Sequence, residues 1–322
     1  MIKTKCLYCI YMLNIYEVCE NFGIVIQNYT DKINNSEECD IKNIPGIEEY
    51  CSDGKLEGTE CKIELDIINA GCLWLFEQNI ANRIDNLTNE QVNAFIIYIM
   101  IWLNYMLNLK KDEKNNLSDF YEEHIKNNSH YTICTNDDND CNSTLKNNLG
   151  YENFKDVIFK NMDFSNIDFE DISKFYEAFK LLCKIHTEYN ENNLECTKYL
   201  EYANKIVDKF KELNGNSSVT RNTSYSQVWS TLSTDYDNLK NKYNGTNCMN
   251  IPSLPSIKRT QNHIQSSGVT SSSLSIVNKL IIALSIFGAI AFFLGISYKR
   301  KDKKYKEENE SIIYDSKRVT NS

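Results

Sequence analysis

"SKFYEAFKLLCKIHTEYNENNLECTKYLEYANKIVDKFKEL", Ser173 to Leu213, carries two apolar stripes on either side of a polar turn. Phe175, Phe179, Leu182, Cys183 and His186 recur at helical spacing in the first half. Tyr199, Ala203, Ile206, Phe210 and Leu213 do so in the second. A side chain returns to the same face of an α-helix every three or four residues, so each stripe is the buried side of one helix. "NENN" supplies the turn. Asn192, with Glu195 three residues on, has the spacing of a capping box for the second helix.

The same period extends outward. "YSQVWSTLSTDYDNLKNKY" repeats Val228, Leu232, Tyr236, Leu239 and Tyr243, and Ile67 to Phe76 is a shorter apolar segment. "VNAFIIYIMIWLNYMLNLK", Val92 to Lys110, is apolar on all sides, but its unbroken core, Ala94 to Leu103, is bracketed by Asn93 and Asn104. A bilayer span needs about 20 apolar residues, so this segment reads as a central helix buried in protein. No period-two alternation is long enough to compete. The expected fold is all-α, a bundle of six or more helices.

Beyond the bundle the character of the chain changes. "NIPSLPSIKRTQNHIQSSGVTSSSLSIVN" holds two of the three prolines and many hydroxyl residues, and residues 248–278 read as a Ser/Pro-rich extended stalk. Leu280 to Tyr298 then carries no formal charge over 19 residues. At about 1.5 Å per residue such a helix covers roughly 28 Å, enough to cross a hydrocarbon core, and residues 279–298 are expected to be a transmembrane helix. Lys299, Arg300, Lys301, Lys303 and Lys304 follow at once, whereas Thr260 to Asn278 has no Lys or Arg. Basic residues flanking a span stay on the cytoplasmic side, which makes 299–322 a cytosolic tail and the large amino-terminal part external or lumenal. The tail has net charge +3 and the rest −12. A positive tail suits the anionic lipid bilayer, and an acidic ectodomain argues against a nucleic-acid partner.

At the amino terminus Lys3 and Lys5 precede a mildly apolar stretch, Cys6 to Tyr16, with no small-residue cleavage site. The features of a cleaved signal are incomplete, so membrane insertion is expected to be driven by the carboxy-proximal span.

All 12 cysteines precede that span. This asymmetry fits an oxidising environment for the large side, with Cys39, Cys51, Cys61, Cys134, Cys141, Cys183 and Cys196 as candidate disulfide residues. Connectivity cannot be read from sequence, but two pairings have local logic: Cys134 with Cys141 across "TNDDND", and Cys183 with Cys196 across the helix turn. Cys72, in an apolar segment, fits a buried thiol as well as a bridge.

Chemistry-bearing motifs are not found. His124, His130, Cys134 and Cys141 have no compact metal-ligand spacing, and the C-x2-C of Cys6 and Cys9 has no second pair. "NDDNDC" opens like a calcium loop, but Cys141 stands where glycine is required and Asn147 where glutamate is. His186 lies on an apolar stripe, where a packed histidine is the usual reading. There is no phosphate-binding glycine loop or nucleophile elbow. The expectation is no catalytic residue, no cofactor, no metal and no small-molecule substrate. The N-x-S/T triplets, for example at Asn86 and Asn142, are expected to be accidents of an asparagine-rich composition.

"INAGCLWLF" (Ile68–Phe76), "YIMIWLNYMLNLK" (Tyr98–Lys110), "LSDFYEEHI" (Leu117–Ile125), the stretch Phe175–Asn214 and "YSQVWSTLSTDYDNLKNKYN" (Tyr225–Asn244) resemble, in order, the blocks of the Plasmodium interspersed repeat proteins, most closely the rodent-malaria yir, bir and cir branch. The resemblance runs from about Glu17 through stalk, span and basic tail. Family members usually open directly with a segment like "YEVCENF", so residues 1–16 stand as an amino-terminal extension ahead of an ectodomain at 17–247. The resemblance implies a non-enzymatic variant antigen exported to the infected erythrocyte, with roles in antigenic variation, immune evasion or adhesion, and with antibodies or host receptors as partners. On this reading the polar loops Asn127 to Asn148 and Asn214 to Tyr225 face those partners, since loops outside a packed core tolerate substitution. The alternative is an organiser of internal membranes, in the vacuole or in transport structures of the host cell, whose ectodomain never meets serum.

Overall fold

In a computed structural model of the chain, which describes residues 2–29, 43–51, 61, 64–109, 116–136, 139–190, 195–215, 223–243, 248 and 250–256, the apolar stripes become the inner faces of a helical bundle. The α-helices are α1 (Ile2–Asn28), α2 (Glu64–Asn79), α3 (Asn89–Leu109), α4 (Leu117–Phe120), α5 (Asn142–Leu149), α6 (Phe154–Lys160), α7 (Phe169–Asn190), α8 (Cys196–Asn214) and α9 (Thr223–Tyr243). A two-residue ladder, β1 (Thr135–Asn136) with β2 (Asn139–Asp140), closes a hairpin between α4 and α5 with Thr135 opposite Asp140.

The helix built from the first stripe is the hub. Phe179 of α7 meets Phe22 of α1 edge-on at 4.8 Å and stacks on Tyr98 of α3 at 4.4 Å, while Tyr176 stacks on Tyr105 at 4.1 Å and Phe175 meets Tyr225 of α9. These pairs run in opposite directions along the chain, so α1 and α3 both lie antiparallel to α7. Offset and edge-to-face rings add specific attraction to the burial of their area. Phe210 against Trp229 joins α8 to α9 in the same way.

α3 is buried from Val92 to Leu107 on nearly every side, with Ile99, Met100, Ile101, Trp102 and Leu103 fully enclosed. It is apolar and long enough by composition to cross a membrane, yet 72% of its most apolar window is inside the protein. Its start is a true capping box: Thr88 Oγ1 accepts from the Gln91 N–H, and Gln91 Oε1 accepts from the Thr88 N–H. α2 reaches α3 through Gly71. A Cβ there would lie 2.9 Å from Trp102 and against the Tyr29 hydroxyl, which itself donates to the Ile67 carbonyl.

Three expectations change. The capping box at Asn192 is replaced: α8 begins at Cys196 with Glu195 as its N-cap, without a side-chain cap hydrogen bond, because the helix starts later than the polar turn suggests. The extension assigned to residues 1–16 has no backbone boundary at its end, since α1 runs unbroken from Ile2 to Asn28. Nor does the fold stop before Cys248. Cys248 and Ile251 are buried, Tyr236 donates to the Pro252 carbonyl at 2.8 Å, Lys240 donates to Ser253 Oγ at 2.6 Å, and Asn214 donates to the Ser256 carbonyl at 2.9 Å. The first residues assigned to the stalk are therefore a strap. It begins beside the start of α8, at Cys196, and reaches the end of α8, at Asn214. α8 is about 28 Å long and eight extended residues reach about the same distance, so the strap is nearly straight. The remaining stalk from residue 257, the expected span 279–298 and the tail with Lys299, Arg300, Lys301, Lys303 and Lys304 lie outside the described residues.

Candidate display surface

Four disulfides brace the bundle among the described residues. Cys19 pairs with Cys183, Cys51 with Cys61, Cys134 with Cys141, and Cys196 with Cys248, with Cα separations of 4.9, 4.7, 5.2 and 5.4 Å. The hairpin pair Cys134–Cys141 has the local pairing expected of it. Cys183 and Cys196 do not pair with each other: Cys183 lies on the α7 stripe that faces α1, where Cys19 follows Ile15 and Val18 on the opposing stripe, while Cys196 faces the start of the strap. Cys19 and Cys248 were absent from the candidate cysteines. The signal for Cys19 was its place on an apolar stripe together with Phe22. Cys39 lies outside the described residues. Cys72 is a buried free thiol, and burial pushes its pKa up to about 12, so it stays protonated and unreactive.

The two polar segments differ. Asn127 to Asn148 is a stapled structure rather than an open loop. Tyr131 is fully buried and donates to Asn69 of α2, the Cys141 N–H bonds the Cys134 carbonyl at 2.9 Å, and Asn142 donates to the Thr132 carbonyl at 3.0 Å. Between these anchors Ile133 is 54% exposed. In the segment Asn214 to Tyr225, residues 216–222 lie outside the described residues. Its ends are fixed, Asn214 to the strap and the buried Tyr225 to the Leu213 carbonyl.

A second exposed apolar position is Phe159 on α6, 58% exposed beside Tyr121 at a centroid distance of 5.6 Å. Tyr121 opens a single π-helical turn, Tyr121–Ile125, in which the Lys126 N–H reaches back to the Tyr121 carbonyl. Ion pairs Lys126–Glu122 and Lys160–Asp156 flank the two rings.

The histidines are packed rather than convergent. His124 stacks on Phe120 and lies 3.8 Å from Asp66, and burial holds its pKa below the ordinary histidine value although Asp66 pulls it the other way. His130 meets the Tyr50 ring edge-on, and His186 is buried on its stripe. Cys134 and Cys141, the sulfurs of the rejected zinc set, are joined to each other. Among the described residues no group of three metal-capable side chains comes together.

No match is found among curated proteins. A solved structure described as a Plasmodium PIR protein ectodomain aligns with a TM-score of 0.54 and 26% identity, over 75% of this chain and 99% of that one. The family model described as Plasmodium variant antigen protein Cir/Yir/Bir matches residues 19–299, opening at the cysteine that pairs α1 with α7. By fold, by disulfide-braced ectodomain and by that match, the chain belongs to the Cir/Yir/Bir family of Plasmodium variant antigen proteins.

Proposed function

We propose that this chain is a variant antigen displayed from a membrane of the infected erythrocyte, its helical ectodomain outside and its basic tail in the cytosol. The observation that carries this reading is the one-sided placement of the disulfides. Eight bonded cysteines, from Cys19 to Cys248, all precede the uncharged run Leu280–Tyr298, with the acidic charge on their side and Lys299 to Lys304 on the other. Bridges of this kind form in an oxidising lumen, which an ectodomain passing through the secretory route meets and a cytosolic tail does not.

Display divides the work within the ectodomain. The ring-packed core of α1, α3, α7 and α9 holds the shape, and substitutions there cost stability. The stapled hairpin 134–141 and the segment 216–222 contribute little to that core and are free to vary in sequence. The protein acts by binding and being seen, without a reaction of its own.

The test is protease treatment of intact infected cells, followed by antibodies to the ectodomain and to residues 299–322. Loss of the ectodomain signal with a protected tail fragment supports display at the host surface. Complete protection until the host membrane is permeabilised defeats it and leaves an organiser of internal membranes. Sera against the folded ectodomain are expected to bind the hairpin and loops; binding mainly to Val92–Lys110 would contradict the division between core and surface.

A further inference from the structure

Asparagine-rich composition explains why N-x-S/T triplets occur in this chain, but the fold treats them unequally. Asn142, in Asn142-Ser143-Thr144, donates to the Thr132 carbonyl at 3.0 Å and its Oδ1 is shut off from solvent, so its amide belongs to the hairpin. Asn116, in Asn116-Leu117-Ser118, caps α4: its Oδ1 accepts from the Asp119 N–H and its Nδ2 donates to Asp119 Oδ2, both at 2.9 Å. Asn28 donates to the Ile24 carbonyl inside α1 and is followed by the buried Tyr29. Asn127 is exposed but sits in the turn after the π-helical segment, ahead of the buried Asn128, which caps the next turn through the His130 N–H.

Asn86, in Asn86-Leu87-Thr88, is different on each count. It is exposed, at the end of the 3-10 turn Ala81–Asn86, and its side chain makes no hydrogen bond. Leu87 is extended, with φ −99° and ψ 143°, so the triplet crosses the surface as open strand-like backbone. Thr88 has a structural role as the cap of α3; Asn86 has none. An extended, exposed asparagine with a threonine two residues on is the acceptor that N-glycosylation requires, on a surface position where a bulky saccharide displaces nothing.

We propose that Asn86 is an N-glycosylation site, taking a saccharide that begins with N-acetylglucosamine from a lipid-pyrophosphate donor during passage through the secretory lumen. In the transfer, Nδ2 of Asn86 forms a bond to C1 of the sugar, the bond from C1 to the pyrophosphate oxygen breaks with its electron pair leaving on the lipid pyrophosphate, and one amide proton is released. The remaining Nδ–H and Oδ1 point into solvent, so the fold is unaffected. The inference rests on the lumenal part of the display reading, because donor and transferase act on that side of the membrane.

The experiment is peptide mass mapping, without reduction, of the full chain isolated from the parasite. The expected result is an N-acetylhexosamine mass on the peptide holding Asn86, an unmodified Asn142 peptide in the same digest, and a faster-migrating chain for N86Q that keeps all four disulfides. A bare Asn86 in a chain whose Cys19–Cys183 and Cys196–Cys248 bridges are formed overturns the site while leaving lumenal passage intact. A bare Asn86 with the cysteines reduced overturns both. A saccharide on Asn142 with Asn86 bare also refutes the proposal, since accessibility in the fold would then not select the acceptor.

Discussion

The bridge between α1 and α7 spans 164 residues of sequence and the hairpin bridge only 7, yet all four cysteines are at most 6% exposed. Replacing both cysteines of either bridge by alanine therefore removes similar volumes from similarly packed sites, and the difference between the two variants isolates loop closure. In the chain-entropy treatment the long loop is worth about 5 kcal/mol and the short one about 2 kcal/mol at room temperature, a gap of roughly 3 kcal/mol. Urea unfolding of the ectodomain, followed by circular dichroism and by the fluorescence of Trp74, Trp102 and Trp229, measures it. C19A/C183A should have the lower midpoint and, because its unfolded chain expands more, the steeper denaturant dependence. Equal losses, or a larger loss for C134A/C141A, would refute the reasoning. They would mean that strain or residual structure in the unfolded chain, rather than loop closure, sets the value of these bridges.

Two further outcomes follow from packing and burial. G71A introduces a methyl against Trp102 and the Tyr29 hydroxyl, and such overpacking typically costs about 1–3 kcal/mol; a thermal-melt midpoint unchanged from wild type would show that α2 can shift away from α3 at no cost. His124 is held below its ordinary pKa by burial, so the unfolded chain takes up a proton before the folded one does. Stability then falls as pH drops through the ordinary histidine value of about 6.5, and the fall should be shallower in H124Q than in wild type when urea midpoints are compared between neutral and mildly acidic buffer; parallel curves would show that His124 is not a source of the pH dependence.

Helix identity was legible because the signal is local. The stripe Phe175, Phe179, Leu182 needs only the helical repeat to be understood, and the apolar run about Trp102 needs only a comparison of its length with a bilayer. The oxidising destination was legible in the same way, from cysteines confined to one side of the run 280–298. What the sequence could not assign was which stripe meets which. Cys183 and Cys196 are 13 residues apart and looked like partners, but a helix turn points them to different neighbours, and Cys183 finds Cys19 only because α1 lies antiparallel to α7. The strap was hidden for a related reason: a short Pro/Ser segment has no periodicity of its own. Its order comes from Tyr236, Lys240 and Asn214, which reach its backbone and side chains only once α8 and α9 are packed. Composition and period determined the elements and their compartment, because those depend on neighbours a few residues away. Tertiary structure decided the bridges, the end of the fold and the asparagine left free at its surface, because each depends on which distant groups arrive within a few ångströms.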